Sequence, residues 1–463
     1  MKRFLWPCVG VAILALVAVL TIALWPTATR PIAAATGGGD SPALIERGRY
    51  LAQAGDCVAC HTTPGGKPFA GGLPLASPIG AMYSTNITPD RTTGIGNYTL
   101  DDFDRAVRHG IRADGDSLYP AMPYPSYARM SDDDLRALYA FFMHGVAPAP
   151  AQPHPTGIPW PLSMRWPMAL WRKAFAPRPD EVTHDPRRYG DASIARGAYL
   201  VQGLGHCGSC HTPRATTMQE KALDESGAAY LAGGPIIDGW LAVNLRGNLA
   251  DGLGAWSAAD IVATLRSARN ASRAVVGGAM NDAIVHSTQY LSDADLNAIA
   301  AYLKTLAPTA DSRSSFKADP ATAKALWEGV NATRGAELYV DNCAGCHRTD
   351  GLGDAQVFPR IADNSTVLAG DPSSVIRLIL EGSQMPATRS APSQLAMPGF
   401  GARLSDDEVA QLASFVRRSW GNQAPAVQAA QVRSIRAVID KERTERVAMA
   451  TLPAPRTPSG DRP

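Results

Sequence analysis

The sequence has few charged residues and almost no excess of either sign. Asp, Glu, Lys and Arg make up 19% of the 463 residues, and the formal net charge is +2. A strongly basic nucleic-acid-binding protein and a strongly acidic tail protein are therefore excluded. Cysteine is also scarce, with seven residues, and the sequence has no long apolar run after residue 25. Because 45% of the residues are apolar, the chain can bury several cores, and general disorder is excluded.

The long apolar run lies at the N-terminus. Residues 4–25 carry no charged side chain and follow Lys2 and Arg3. A helix of this length can cross a hydrocarbon core of about 30 Å, whereas a cleaved signal usually has a shorter apolar centre. We expect residues 1–35 to be a signal sequence or a retained membrane anchor. Either alternative exports the rest of the chain and leaves Lys2 and Arg3 on the cytoplasmic side.

One sequence unit occurs three times. Each copy begins with an Arg-Gly pair and continues to a Cys-x-x-Cys-His motif, and the first cysteines of successive motifs are 150 and 136 residues apart. Repeats of this length are domains rather than turns of a solenoid. We define unit 1 as residues 42–147, unit 2 as residues 190–307 and unit 3 as residues 327–421.

Each unit is predicted to be a small helical domain whose first and last helices cross. The last helix follows Ser131, Ser292 or Ser405, with acidic residues in its first turn and apolar residues at helical spacing. In unit 3, Glu408 completes a capping box. Each first helix contains a glycine, which costs about 1 kcal/mol relative to alanine. We therefore expect these glycines to mark a close approach of the last helix. The glycines are Gly48, Gly197 and Gly335.

The segments between the units differ in composition. Residues 148–189 form a linker rich in proline and tryptophan, and its prolines are expected to prevent regular helix. Its tryptophans favour packing over a domain surface or a partner rather than a free tether. Residues 308–326 are predicted to be a second linker. Within the C-terminal tail, residues 422–463, the stretch 427–447 is predicted to be helical, and it either packs on unit 3 or docks on a partner or membrane.

Six of the seven cysteines fall in the three Cys-x-x-Cys-His motifs, and Cys8 in the leader is left over. Two thiols three positions apart lie on one side of a helical turn, where they can add to the two vinyl groups of a haem. The adjacent histidine can then bind the iron. The predicted haem-binding residues are Cys57, Cys60 and His61, Cys207, Cys210 and His211, and Cys343, Cys346 and His347.

Zinc and disulfide bonds are the alternatives to haem. A structural zinc site needs four ligands, usually from two paired motifs, but each unit has a single motif. A disulfide framework would leave the histidine after each cysteine pair unexplained. The motifs therefore favour three covalently bound c-type haems.

A methionine precedes the last helix of each unit and is a candidate sixth ligand of the iron. Met122 lies nine residues before Ser131, Met280 twelve before Ser292 and Met397 eight before Ser405. A lone methionine would more often fill a core, but three at matched positions favour ligation. Met385 remains an alternative to Met397, and His286 an alternative to Met280.

Beyond these motifs, the chain resembles the tri-haem cytochrome c subunit of membrane-bound periplasmic dehydrogenases, from about residue 42 to about residue 422. The enzymes concerned include alcohol, gluconate, sorbitol and fructose dehydrogenases. The additional stretches that carry the resemblance are Asn86-Ile87-Thr88-Pro89-Asp90, Leu118-Tyr119-Pro120-Ala121-Met122-Pro123-Tyr124, Ile158-Pro159-Trp160-Pro161, Ser287-Thr288-Gln289-Tyr290-Leu291 and Ser419-Trp420-Gly421-Asn422.

The resemblance implies an all-α fold of three tandem cytochrome c class I domains after an N-terminal apolar helix. It implies electron transfer from a quinoprotein, flavoprotein or molybdenum dehydrogenase subunit to ubiquinone, at the periplasmic face of the bacterial inner membrane. The sequence shows no dinucleotide fingerprint and no nucleophile elbow, so we expect no substrate-oxidising site in this chain. A haem peroxidase and a stand-alone electron shuttle remain as alternative functions.

Overall fold

The fold was examined in a computed structural model. It describes residues 11–32 except 12, 15, 16 and 28, and residues 41–450 except 78, 271–274, 311–315 and 356; side chains are described to residue 444. Within this part of the chain, residues 17–24 are helical, but no helix is both long and apolar enough to cross a membrane. Much of the predicted leader, including Lys2 and Arg3, lies outside the described residues.

The described chain is mostly helical, and each unit begins and ends with a helix as predicted. We call these the opening and closing helices. The opening helices are Pro42–Ala54, Ala192–Tyr199 and Arg334–Asn342, and the closing helices are Asp132–Ala140, Asp293–Thr305 and Asp406–Arg418. Short π-helical segments extend the first closing helix over Phe141–Gly145 and the second opening helix over Leu200–Leu204.

Shorter elements fill the space between these two helices. The helices are Cys57–Cys60, Leu100–Val107 and Tyr124–Tyr127 in unit 1, Gly208–His211, Ala258–Ser267, Met280–His286 and the 3-10 turn Thr288–Tyr290 in unit 2, and Ala344–His347, Ser365–Leu368 and Ser373–Glu381 in unit 3. Each unit also has one two-stranded antiparallel ladder, which the all-α expectation omitted. The paired strands are Pro74–Leu75 with Met82–Tyr83, Ile236–Ile237 with Trp240–Leu241, and Gly382–Gln384 with Ala396–Pro398.

The predicted caps of the closing helices are confirmed. The side chains of Ser131, Ser292 and Ser405 each accept a hydrogen bond from the backbone N–H three residues later. Glu408 completes a capping box with Ser405. These caps satisfy backbone donors that would otherwise be left unpaired at the helix start.

The predicted close approach at the three glycines is also confirmed. A Cβ atom on Gly48 or Gly197 would lie 1.9 Å from the carbonyl oxygen of Ala137 or Ala298, and one on Gly335 would lie 2.6 Å from that of Gln411. Distances this short are impossible for a real side chain. The opening and closing helices of each unit therefore pack with their backbones almost in contact.

Buried apolar side chains of the described chain form two clusters rather than three. One cluster runs through units 1 and 2, from Ile32 to Leu306. The other belongs to unit 3 and extends from Leu326 to Ile439. The first two units therefore share a continuous core, whereas the third unit has its own.

The proline-rich linker contains a helix that the sequence analysis excluded. The helix is Trp166–Phe175, and Pro167 lies in its first turn, where the missing N–H of proline is harmless. Trp171 packs edge to face on Tyr124 of unit 1 and donates a hydrogen bond to the carbonyl of Thr217 in unit 2, at 2.7 Å. The linker thus packs on both units, as its tryptophans predicted, although Trp160 is 81% exposed.

The second linker and the C-terminal tail also add helices to the fold. Pro320–Trp327 lies where a linker was predicted, because Asp319 caps it and proline occupies its first position. The predicted C-terminal helix is present as Ala429–Ala450 and packs on unit 3, with Val432 and Ile439 buried.

Replacing Gly335 by alanine should lower the free energy of unfolding of unit 3 by about 1–3 kcal/mol, because the added methyl group would force the two helices apart. Gly345→Ala is the matched control in the same unit, since nothing lies within 4 Å of its added Cβ. Denaturant unfolding of both variants tests the prediction. Equal stabilities of the two variants would contradict it.

Candidate haem-attachment site

The six motif cysteines lie at the start and end of one short helical turn in each unit. All six are free thiols, and the first of each pair is partly buried while the second is exposed. Burial raises the pKa of the Cys57, Cys207 and Cys343 thiols to about 12. These thiols are therefore neutral at ordinary pH.

The described residues provide no ligand set for a zinc ion. No group of three or more His, Cys, Asp or Glu side chains in that part of the chain lies close enough to hold a metal ion. The three histidines that follow the cysteines are held apart, each in its own unit. This arrangement agrees with three separate attachment motifs rather than one shared metal centre.

The three motif histidines are oriented in the same way. The Nδ1 atom of His61 lies 2.7 Å from the carbonyl oxygen of Thr85, that of His211 lies 2.7 Å from Val243, and that of His347 lies 2.9 Å from Pro359. A carbonyl oxygen can only accept, so Nδ1 carries the proton and Nε2 keeps its lone pair. Burial lowers the pKa of all three imidazoles. Each histidine is therefore neutral and presents Nε2 as a ligand, as iron ligation requires.

The partners of these histidines could not be found from the sequence. Each is a backbone carbonyl 12 to 32 residues further along the chain, and the residues that supply the carbonyls, Thr85, Val243 and Pro359, have no side-chain type in common. In units 1 and 2 the carbonyl residue directly precedes an asparagine, Asn86 or Asn244, whose side-chain oxygen accepts from the backbone N–H two residues later. Unit 3 has Arg360 at this position and lacks the signal.

The candidate methionines of units 1 and 3 pack against the same clusters as the cysteines of their own units. Met122 and Cys57 pack against the core of units 1 and 2, and Met397 and Cys343 pack against the core of unit 3. Met397 lies in a strand opposite Ser383. Its competitor Met385 is buried, but it is not among the described side chains of that cluster.

Met280 lies in a different setting. It begins the helix Met280–His286, which packs against the helix Cys57–Cys60 of unit 1. Met280 is not among the described side chains that pack against either core cluster, and His286 lies at the other end of the same helix. The second unit thus has its candidate ligand at a contact between units.

The donors present in each unit fit a covalently attached haem. A c-type haem site uses the thiol pair to form two thioether bonds with the porphyrin, and uses an imidazole Nε2 and a methionine sulfur as iron ligands. In unit 2, Tyr230 is 1% exposed and its hydroxyl has no partner, and its ring lies 3.3 Å from a Cβ position on Gly208 in the attachment helix. An unpaired buried hydroxyl costs about 1–3 kcal/mol, so the position of Tyr230 favours a bound group with a hydrogen-bond acceptor.

Comparison with known proteins agrees with this arrangement. The cytochrome c family model matches residues 194–307 and 332–420, and the model for subunit III of the cbb3-type cytochrome c oxidase matches residues 43–142. The three matched ranges correspond to units 2, 3 and 1.

Relatives with these domains match almost the whole chain. The gluconate 2-dehydrogenase cytochrome c subunit of Pantoea cypripedii is 55% identical over 85% of this chain and 90% of its own length. The cytochrome c subunit of the quinone alcohol dehydrogenase of Gluconacetobacter polyoxogenes is 52% identical over 87% and 86%. The fructose dehydrogenase cytochrome subunit of Gluconobacter japonicus is 39% identical over 85% and 82%. The chain therefore belongs to the family of cytochrome c subunits of gluconate, alcohol and fructose dehydrogenases.

Proposed function

We propose that this chain carries three c-type haems and transfers electrons from a dehydrogenase subunit to ubiquinone at the periplasmic face of the bacterial inner membrane. The observation that carries the proposal is the threefold occurrence of a thiol pair followed by a histidine whose Nδ1 is hydrogen-bonded to a backbone carbonyl. A bound haem iron supplies a one-electron carrier.

The residues of this chain would hold and tune that carrier. The cysteines of each motif would form two thioether bonds, and the histidine would bind the iron through Nε2. The carbonyls of Thr85, Val243 and Pro359 fix the imidazole orientation and increase its basicity as a ligand. Met122, Met280 and Met397 would supply the sixth ligand, and a thioether ligand raises the reduction potential.

The partner is proposed to be a gluconate or alcohol dehydrogenase subunit. The cytochrome subunits of these enzymes share more than half of the aligned residues with this chain, against 39% for the fructose enzyme. In this proposal the partner oxidises the substrate, and this chain only carries electrons away.

Purified protein from a host able to mature c-type cytochromes should contain three haems per chain, measured as pyridine haemochrome. Replacing Cys343 and Cys346 by alanine should reduce the number to two, because unit 3 then has no thiol to bond. Cys8→Ser is the control and should keep three, since Cys8 lies outside the motifs. Two or fewer haems in the unmodified chain would contradict the proposal.

Met122→Leu should remove the Met-to-iron absorption of one haem and lower its reduction potential, because leucine fills the same volume without a sulfur ligand. Met130→Leu is the control: Met130 is buried in the same unit, immediately before the closing helix. Redox titration with absorption spectroscopy measures both effects. Unchanged absorption in Met122→Leu would show that Met122 is not a ligand.

Met397→Leu should have the same effect on the haem of unit 3, whereas Met385→Leu should leave its spectrum and potential unchanged. The reason is that Met397, but not Met385, packs against the cluster that Cys343 also contacts. The two variants are compared in one redox titration. The reverse result would assign the ligand to Met385.

A further inference from the structure

Units 1 and 2 are joined by two matching hydrogen bonds. The hydroxyl of Tyr50, on the opening helix of unit 1, donates to Asp295 Oδ2 on the closing helix of unit 2 at 2.6 Å. The hydroxyl of Tyr199, on the opening helix of unit 2, donates to Asp134 Oδ2 on the closing helix of unit 1, also at 2.6 Å. The two contacts are reciprocal.

Each phenol oxygen also accepts a backbone hydrogen bond from the other unit. The N–H of Ser292 donates to Tyr50 and the N–H of Ser131 donates to Tyr199, both at 3.1 Å. These serines are the caps of the two closing helices. Each tyrosine therefore binds the start of the other unit's closing helix at two points.

The sequence positions of these residues show that the interface is a pseudo-twofold one. Tyr50 and Tyr199 each lie two residues after the helix-crossing glycine of their unit, and Asp134 and Asp295 each lie three residues after the capping serine. Equivalent residues exchange roles across the interface, as in an isologous contact between two copies. The shared core of units 1 and 2 agrees with this relation.

Each aspartate is also bound within its own unit. Arg47 pairs with Asp134 Oδ1 at 2.6 Å, and Arg196 pairs with Asp295 Oδ1 at 2.8 Å. Asp134 thus binds its own unit through Oδ1 and the neighbouring unit through Oδ2, whereas Oδ2 of Asp295 accepts from both Tyr50 and Arg196. A change of tyrosine to phenylalanine removes the bond from the tyrosine and leaves the pair with the arginine.

Unit 3 keeps the internal pair, but its described side chains form no equivalent bond to another unit. Arg334 pairs with Glu408 at 2.6 Å, as in the other units, but Glu337 occupies the position of the tyrosine and pairs with Arg334 of its own helix at 3.2 Å. Unit 3 contacts unit 2 through other groups. The N–H of Leu241 donates to Ser374 Oγ at 2.9 Å, and Arg269 donates to the carbonyl of Ser393 at 2.7 Å.

We call residues 57–61 of unit 1 and residues 207–211 of unit 2 the attachment segments. Elements of the opposite unit pack against these segments or against the residues that lead to them. The helix Met280–His286 of unit 2 packs against Cys57–Cys60 of unit 1, and Tyr124–Tyr127 of unit 1 packs against Leu200–Leu204, which leads to Cys207. Each attachment segment, or the stretch that leads to it, is therefore in contact with an element near the candidate methionine of the other unit.

We propose that Tyr50 and Tyr199 are positioning residues that hold the attachment segments of units 1 and 2 in a fixed relation, so that electrons exchange directly between these two units. The inference rests on the proposed function. With a haem bound in each unit, the exchange would oxidise one iron from ferrous to ferric and reduce the other from ferric to ferrous, and no bond would form or break. Unit 3 exchanges electrons independently of these tyrosines.

The double variant Tyr50→Phe/Tyr199→Phe tests the proposal in the full-length haem-containing chain. After flash reduction with less than one electron per chain, at least one phase of exchange between haems should slow several-fold. Thermal unfolding should show a lower transition temperature for units 1 and 2 and an unchanged transition for unit 3. The haem number and the Met-to-iron absorption should not change.

Glu337→Gln, at the equivalent position of unit 3, is the matched control and should change no exchange phase. Unchanged exchange rates in the double variant, or an equal slowing in Glu337→Gln, would overturn the proposal. If the double variant does not accumulate, the two single variants replace it, and exchange at the original rate in both overturns the proposal. A haem number below three in the unmodified chain would instead refute the proposed function.

Discussion

The backbone contact between opening and closing helices is the constraint on which each unit depends. A glycine at the crossing has only a hydrogen atom where other residues have Cβ. The backbones of the two helices can therefore approach so closely that a Cβ atom would not fit between them. This close crossing fixes the end of the opening helix, and the attachment turn follows within a few residues. The histidine is then directed toward a loop carbonyl, which leaves Nε2 free. The side chains that could bind a haem are thus oriented by contacts made several residues away from them.

The helix caps and the helix crossings could be predicted from the sequence because they depend on residues close together in the chain or on a single glycine. Ser405 and Glu408 form the predicted capping box, and the glycines mark the predicted crossings. The helix Trp166–Phe175 was missed because proline was read as a helix breaker throughout its segment, whereas Pro167 stands at the one position where it is tolerated. The helix Pro320–Trp327 lies in a segment that is predicted to be a linker, and its sequence signals are the cap at Asp319 and the proline at its first position.

The relation between the units could not be read in the same way. A repeat in the sequence shows that three copies exist, but it does not show which copies pack together. The tyrosines at positions 50 and 199, and the glutamate at position 337, were visible from the start. Their meaning depends on Asp295 and Asp134, which lie 245 and 65 residues away from them. The hydrogen-bond partners of the motif histidines are also backbone oxygens, which every residue type has.

The shared core of units 1 and 2 has a consequence for how the chain matures. Its buried side chains extend from Ile32 to Leu306, so the first unit cannot complete its packing until the second has been synthesised. Until then its apolar surface stays exposed to solvent and to chaperones. The motif cysteines of unit 1 therefore belong to a fold that is complete only when residues as far along the chain as Leu306 are in place.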